Sequence, residues 1–130
     1  MIEILVVDDD ALMRGLLAEW LSAAGYRVRK AEHGGAALQM LRNRPANLLI
    51  TDMDMPGFDG AQTMEEARRV VPGLPVIAIS GGTHEGKESW MATARNLGAT
   101  RLLAKPFSRE ALLAAVEDIV PKHRSRAMPT

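Results

Sequence analysis

Residues 2–7 read Ile-Glu-Ile-Leu-Val-Val, an apolar stretch of strand length near the start of the chain. A nearly continuous apolar run rich in β-branched residues is typical of a strand covered on both faces. The chain then changes to helical spacing over residues 11–24. Apolar side chains recur there every four residues in two adjacent rows: Leu12, Leu16 and Trp20, and Met13, Leu17 and Leu21. These rows predict a helix with one wide apolar stripe, begun by an Asp10 cap and ended by Gly25.

The alternation of strand and helix continues along the chain. Further strands are predicted at residues 26–31, 47–51, 76–80 and 101–104, and further helices at residues 35–42, 61–71 and 87–96 and from a Ser108 cap to Val120. The segment 26–31 alternates polar and apolar residues, so we expect an edge strand whose Arg and Lys side chains face water. Strands joined by crossover helices form a parallel sheet with helices on both faces, so the predicted class is a doubly wound α/β fold.

Length and composition exclude several classes of protein. The 130 residues fit one domain, which we place at residues 1–121, followed by a short polar tail at 122–130. The absence of cysteine excludes a disulfide scaffold, a zinc ribbon, an iron–sulfur site and thiol catalysis. Sixteen basic residues balance sixteen acidic ones, which argues against direct nucleic-acid binding. No apolar run approaches the roughly 18 residues of a membrane span, and no signal peptide is evident, so a cytoplasmic location is expected.

Acidic side chains follow two of the predicted strands. Asp8 and Asp9 come directly after the first strand, and Asp52 follows the third. In open parallel sheets the chemistry sits beyond the carboxyl ends of the strands, where these carboxylates would converge if the two strands are neighbours. Carboxylates at such distances repel one another unless a cation lies between them. Because His and Cys are not among them, the oxygen-only set predicts Mg²⁺ rather than zinc or copper. Capping of the following helix and loop is the alternative role of these acids.

Two further polar residues end strands at the same edge. Ser80 ends the fourth strand with a hydroxyl donor, and Lys105 ends the fifth with a mobile positive charge. The acids, the metal, the ammonium and the hydroxyl together suit a phosphoryl group, whose transfer needs positioning and charge neutralisation. A carboxylate can itself act as nucleophile and form an aspartyl phosphate, and Asp52 is the candidate because its partners surround it.

These segments resemble the receiver domain of two-component response regulators, including the single-domain chemotaxis receivers. The matching motifs are VDD at 7–9, DMDMPGFDG at 52–60, SGG at 80–82 and KPF at 105–107. The resemblance implies a flavodoxin-like, five-stranded parallel sheet of order 2-1-3-4-5 with five helices.

The resemblance also implies a role for each site residue. Asp52 would be the phosphoacceptor, and Asp8 and Asp9 the Mg²⁺ acids. Asp54 would complete the metal site through its backbone carbonyl. Ser80 would be the switch hydroxyl, and Lys105 the phosphate-binding lysine, before a cis bond to Pro106.

The implied partners are a sensor histidine kinase or a histidine phosphotransfer protein, and a downstream protein. The downstream target would dock on the face of the fourth helix, fifth strand and fifth helix. Such a chain assists its own phosphorylation but is not a turnover enzyme. One departure is Leu102, which replaces the aromatic residue common three positions before the lysine. The Asp54 side chain is a second, because it would lie beside the phosphoryl group.

Two other interpretations compete with this one. Asp52 and Asp54 also resemble the D-x-D motif of haloacid-dehalogenase-type phosphatases, but that motif follows the first strand, and the chain has no room for a cap domain. A receiver-like adaptor that never binds phosphate is disfavoured by the intact set of acids. His33, His84 and His123 lack metal-ligand spacing, so we interpret them as solvated surface residues.

Overall fold

The computed structural model describes residues 1–53, 60–80 and 98–120, and within them five strands and four helices. The strands are β1 (Glu3–Val7), β2 (Arg27–Ala31), β3 (Leu48–Asp52), β4 (Val76–Ser80) and β5 (Arg101–Ala104). The helices are α1 (Ala11–Ala23), α2 (Gly34–Asn43), α3 (Gly60–Val70) and α4 (Arg109–Ile119), the last being the fifth helix of the sequence prediction. The helix predicted at 87–96 lies outside the described residues.

The five strands form one parallel sheet in the order β2-β1-β3-β4-β5. β1 lies between β2 and β3, with Val7 opposite Ala31 of β2 on one side and opposite Thr51 of β3 on the other. This order confirms the flavodoxin-like topology implied by the resemblance. It also makes β1 and β3 neighbours, which is what the convergence of their terminal acids requires.

Each face of the sheet has its own apolar core. Successive strand residues point to opposite faces, so Leu49 packs on one side and Leu48 and Ile50 on the other. The first side is covered by α2 and α3, through residues such as Leu38 and Met64. The second is covered by α1 and α4. Helices on both faces explain why β1, β3 and β4 are apolar along nearly their whole length.

The apolar stripe of α1 is narrower than predicted: in the row Leu12, Leu16 and Trp20 the two leucines are exposed, and only Trp20 packs against the core. Leu17 and Leu21 are fully buried, with Met13 packed beside them. Leu12 is 86% exposed and Leu16 39% exposed. A helix advances about 100° per residue, so a row one position earlier lies to the side of the buried row. Two large apolar side chains therefore remain on the surface, in the first turns after the acidic residues.

The prediction for strand β2 is confirmed as an edge strand and corrected for Arg29. Arg27 and Lys30 are exposed, as expected. The Arg29 side chain is instead only 17% exposed and forms an ion pair with Glu3 at 3.3 Å. Its guanidinium donates to three carbonyl oxygens at the end of α2, those of Met40, Arg44 and Pro45. The carbonyl oxygens of this turn converge on the guanidinium and draw the arginine inward.

The ends of α1 and α4 follow the predicted capping chemistry. The Asp10 carboxylate accepts from the Leu12 N–H at 3.0 Å, and the Ser108 hydroxyl accepts from the Ala111 N–H at 3.0 Å. Gly25 follows α1 with a φ of 100°, a conformation that favours glycine. The helices α1 and α4 therefore begin and end close to the residues that the sequence predicts.

The start of α2 has a cap that was not predicted from the sequence. His33 is exposed, as its interpretation as a surface residue requires, but its Nδ1 accepts from the Ala36 N–H at 3.1 Å. The ring therefore serves as the N-cap of the helix. None of the four described helices is long and apolar enough to cross a membrane.

Candidate functional site

Three carboxylates meet at the carboxyl edge of the sheet. Asp52 is the last residue of β3, and Asp8 and Asp9 directly follow β1, the neighbouring strand. One carboxylate oxygen from each of the three lies within 4.8 Å of the other two. The structure therefore brings together the acids that the sequence placed at two strand ends.

The turn carrying Asp8 and Asp9 is held by hydrogen bonds on several sides. The Asp8 N–H continues the β-ladder by donating to the Ala31 carbonyl at 3.2 Å. Asp8 Oδ1 accepts from the Asp10 N–H at 2.9 Å, and the Asp8 carbonyl accepts from Arg14 Nη1 at 2.8 Å. Asp10 in turn caps α1. Asp10 therefore has a structural role, while Asp8 and Asp9 contribute their carboxylates to the site.

The negative charge of Asp8 is poorly compensated by the residues that the structure describes. Its side chain is fully buried, and its Oδ2 accepts no hydrogen bond from the residues that the structure describes. Burial raises the pKa of Asp8 from its ordinary 3.8 to about 6. The Asp10 N–H opposes this rise, whereas the negative charge of Asp52 adds to it. A buried carboxylate oxygen in this position, beside two more carboxylates, needs a cation.

Lys105 supplies one positive charge to this cluster. It follows β5, and its backbone N–H donates to the Ser80 carbonyl at 2.8 Å. The ammonium Nζ lies 3.6 Å from Asp52 Oδ2 and 4.0 Å from Asp8 Oδ2. Both distances exceed the roughly 2.7–2.9 Å of a charge-assisted hydrogen bond. The lysine is therefore close enough to attract an anion at the acids without occupying their oxygens. The bond between Lys105 and Pro106 is cis, as the resemblance implies.

Ser80 lies at the same edge and is almost fully buried. It ends β4, between the strands that carry Asp52 and Lys105. The Met53 N–H donates to the Ile79 carbonyl at 2.7 Å, which ties the segment after Asp52 to the residue before Ser80. The two glycines predicted beside Ser80, and Asp54, lie outside the described residues.

Leu102, the departure from the aromatic pattern, lies within β5. It is paired with Ala78 of β4 and packs partly buried against the core under α2 and α3. In this structure the residue is part of the apolar layer beside the site.

Two residues near the site were not singled out by the sequence. Arg14 is one, through its bond to Asp8. Gly60 is the other, because a Cβ built there would lie 2.5 Å from the Asp52 carbonyl oxygen and 2.6 Å from Met53 Cα. An arginine one helical turn after Asp10 is ordinarily a surface charge, so the sequence held no strong signal for Arg14, and Gly60 was visible only as part of the motif at 52–60.

The donor set fits Mg²⁺ in particular. Mg²⁺ takes hard oxygen ligands and usually one or two carboxylates together with water. Asp9 is exposed while Asp8 and Asp52 are buried, so one side of the cluster opens to solvent. The cluster therefore has protein oxygens on the inside and room for water or a phosphoryl oxygen on the outside.

Comparison with known proteins identifies the family that the sequence motifs resemble. A family model described as "Response regulator receiver domain" matches residues 4–117. The probable chemotaxis protein CheY of Rhizobium etli is 33% identical over 119 residues, which cover 91% of this chain and 92% of that protein. The transcriptional regulatory protein GlrR of Escherichia coli K12 is 36% identical over 115 residues, 88% of this chain. The chain spans only about a quarter of the length of GlrR.

Solved structures agree with the sequence comparison. The receiver domain of NtrX from Brucella abortus is 33% identical and superposes with a TM-score of 0.82, covering 92% of this chain and 98% of that one. The chemotaxis protein CheY4 of Vibrio cholerae is 26% identical with a TM-score of 0.82, covering 92% and 99%. The haloacid-dehalogenase alternative is left without support by these matches. The chain belongs to the family of response regulator receiver domains, the phosphorylation-switched signalling modules of two-component systems.

Proposed function

We propose that the chain accepts a phosphoryl group on Asp52, in the presence of Mg²⁺, from a sensor histidine kinase or a histidine phosphotransfer protein. The observation that carries this proposal is the meeting of Asp8, Asp9 and Asp52 within 4.8 Å, with the Lys105 ammonium 3.6 Å from Asp52. Asp8, Asp9 and Asp52, with the backbone carbonyl of Asp54, would hold the metal. Bound there, Mg²⁺ supplies positive charge that neutralises the phosphoryl oxygens.

Asp52 is the nucleophile of the proposed transfer. One of its carboxylate oxygens attacks the phosphorus of the donor's phosphohistidine, forming an O–P bond as the N–P bond breaks. The electron pair of the broken bond stays on the histidine nitrogen. Burial of Asp52 at the strand end limits water around the attacking oxygen and strengthens every charge interaction there.

Lys105 and Ser80 would position the transferred group. The ammonium stands where a phosphoryl oxygen on Asp52 would need a positive charge, since it already lies beside the Asp52 carboxylate. The Ser80 hydroxyl, on the strand between β3 and β5, would donate to another phosphoryl oxygen. Through this bond the phosphorylation state would reach the segment after Ser80, and Leu102 would respond by packing rather than through a hydroxyl.

The exposed leucines of α1 support a protein as the phosphodonor. Leu12 and Leu16 lie in the first turns after the acidic residues. Exposed apolar side chains grouped beside a polar site are typical of protein contact surfaces. A donor helix docked on them would be close to Asp52.

We infer that the output is passed to a protein target. The proposed surface is the face of the predicted helix 87–96, β5 and α4, where Arg101 and Asp118 form an ion pair at 2.7 Å. The balanced charge of the chain argues against direct contact with nucleic acid. We place the receiver unit at residues 1–121, in a cytoplasmic protein that modifies itself once per signal and does not turn over substrate.

Labelling with acetyl phosphate tests the proposal. We expect stoichiometric, Mg²⁺-dependent addition of one phosphoryl group to the intact protein, measured by mass spectrometry. Asp52→Asn should abolish the addition, and Asp9→Asn should abolish its dependence on Mg²⁺ together with most of its rate. If a chelator leaves the labelling unchanged, the proposed requirement for Mg²⁺ is wrong.

A further inference from the structure

Arg14 makes an unusual contact for a residue near the start of a helix. Its backbone N–H forms the first hydrogen bond of α1, to the Asp10 carbonyl at 2.9 Å. Its side chain turns back along the chain, and Nη1 donates to the Asp8 carbonyl at 2.8 Å. The side chain thus spans the turn that carries the acids.

We propose that Arg14 is a positioning residue of the Mg²⁺ site, an inference that rests on the proposed function. The Asp8 carbonyl and the Asp9 N–H belong to one planar peptide unit. A guanidinium that fixes this carbonyl therefore fixes the plane from which the Asp9 Cα and its carboxylate project. The side chain of Asp8 is held separately, because its Oδ1 accepts from the Asp10 N–H.

Asp9 depends on this arrangement more than the other two acids do. Asp8 and Asp52 are buried, and packing restricts their rotamers. Asp9 is exposed, so the direction of its carboxylate depends mainly on the backbone beneath it. Removing the Arg14 bond should therefore disturb the ligand that faces solvent.

The sign of the effect on metal affinity separates positioning from simple charge. A guanidinium near a cation site repels the cation, so deleting it should tighten Mg²⁺ binding if charge alone mattered. If Arg14 positions the ligands, deleting it should weaken binding even though a positive charge is lost. Substitutions of residues that orient metal ligands commonly cost about 10-fold or more in affinity.

Calorimetric titration of the full chain with Mg²⁺ tests the inference. Arg14→Met keeps an apolar stem of similar length and removes the donors, and we expect its Kd to be roughly 10-fold higher than that of the unaltered protein. Arg14→Lys keeps the charge but not the fork of donors, and it should also bind more weakly. The matched control is Arg68→Met, because Arg68 Nε donates to the Leu74 carbonyl at 3.0 Å, near the amino end of β4 and away from the acids. The control should lose stability and keep its Kd.

An equal or lower Kd in Arg14→Met would overturn the inference. If circular dichroism shows that Arg14→Met does not fold, Arg14→Lys decides alone, and an unchanged Kd in that variant has the same consequence. Failure of the unaltered protein to bind Mg²⁺, or binding that survives Asp9→Asn, would instead refute the proposed function. The two failures are therefore distinguishable.

Discussion

Replacing Asp8 by asparagine should stabilise the metal-free protein at neutral pH. Asp8→Asn keeps a side-chain oxygen that can accept from the Asp10 N–H, and it removes the negative charge. In the native carboxylate, Oδ2 is buried and accepts no hydrogen bond from the described part of the chain. The substitution thus removes a poorly compensated charge with little change in shape.

The size of the effect follows from the pKa of Asp8. Burial raises it from 3.8 to about 6, and one pKa unit corresponds to about 1.4 kcal/mol. Because the folded state holds the proton more tightly than the unfolded state, the stability from this group is fully present below pH 3.8 and is lost as pH rises through about 6. Ionised Asp8 therefore costs about 3 kcal/mol at neutral pH. We expect Asp8→Asn to recover a gain of that order, shrinking toward acidic pH.

Urea denaturation in the presence of a chelator, followed by circular dichroism at several pH values, measures this gain. Asp118→Asn is the control, since that carboxylate is exposed and its ion pair with Arg101 should contribute no more than about 1 kcal/mol. Added Mg²⁺ should stabilise the unaltered protein and leave Asp8→Asn nearly unchanged. Equal or lower stability of Asp8→Asn at neutral pH, or a gain independent of pH, would refute the reasoning.

Three other parts of the site give further predictions. Gly60→Ala forces a methyl group against the Asp52 carbonyl, so it should slow acetyl phosphate labelling and lower the free energy of unfolding by about 1–3 kcal/mol. The control is Gly15→Ala, since a Cβ at that position meets nothing within 4 Å. The control should raise the free energy of unfolding by up to about 1 kcal/mol and keep the labelling rate. Equal labelling rates would contradict this. Leu12→Ser should slow transfer from a phosphorylated protein donor but not from acetyl phosphate, and equal effects on both would argue against a docking role. Lys105→Met should slow labelling roughly a hundredfold in a stopped assay, and an unchanged rate would exclude the lysine from the transfer.

The sheet was predictable because its signal is local and repeated. Apolar runs of strand length occur at residues 2–7, 47–51 and 76–80. A parallel strand covered on both faces needs such a run, because the side chains on both of its faces are buried. The observed strands agree with the predicted ones to within a residue or so at each end. The strand order was not contained in the periodicity and came from the resemblance to a family.

The details that the sequence missed depend on tertiary contacts. Leu12 and Leu16 belong to a row with regular helical spacing, yet the position of α1 on the sheet brings only Trp20 of that row against the core. Arg29 reads as an edge charge, but carbonyls from the end of α2, eleven or more residues away, draw it inward. His33 reads as a solvated residue because a histidine cap is uncommon.

In the site, too, some features could be predicted from the sequence and others depend on tertiary contacts. Strand ends predicted the meeting of Asp8, Asp9 and Asp52, because adjacent parallel strands end at one edge. The sequence held no comparable signal for Arg14, since an arginine in the first turns of a helix is ordinarily a surface charge. Only the fold shows that its side chain reaches back to the turn carrying the acids.

Locating the phosphoryl group within the chain tests the central claim most directly. After brief reaction with acetyl phosphate and Mg²⁺, tandem mass spectrometry of the digested protein should place one alkali-labile, hydroxylamine-labile phosphoryl group on Asp52. A phosphoryl group on Asp8, Asp9 or a hydroxyl residue, or one that persists in Asp52→Asn at the same rate, would contradict the account.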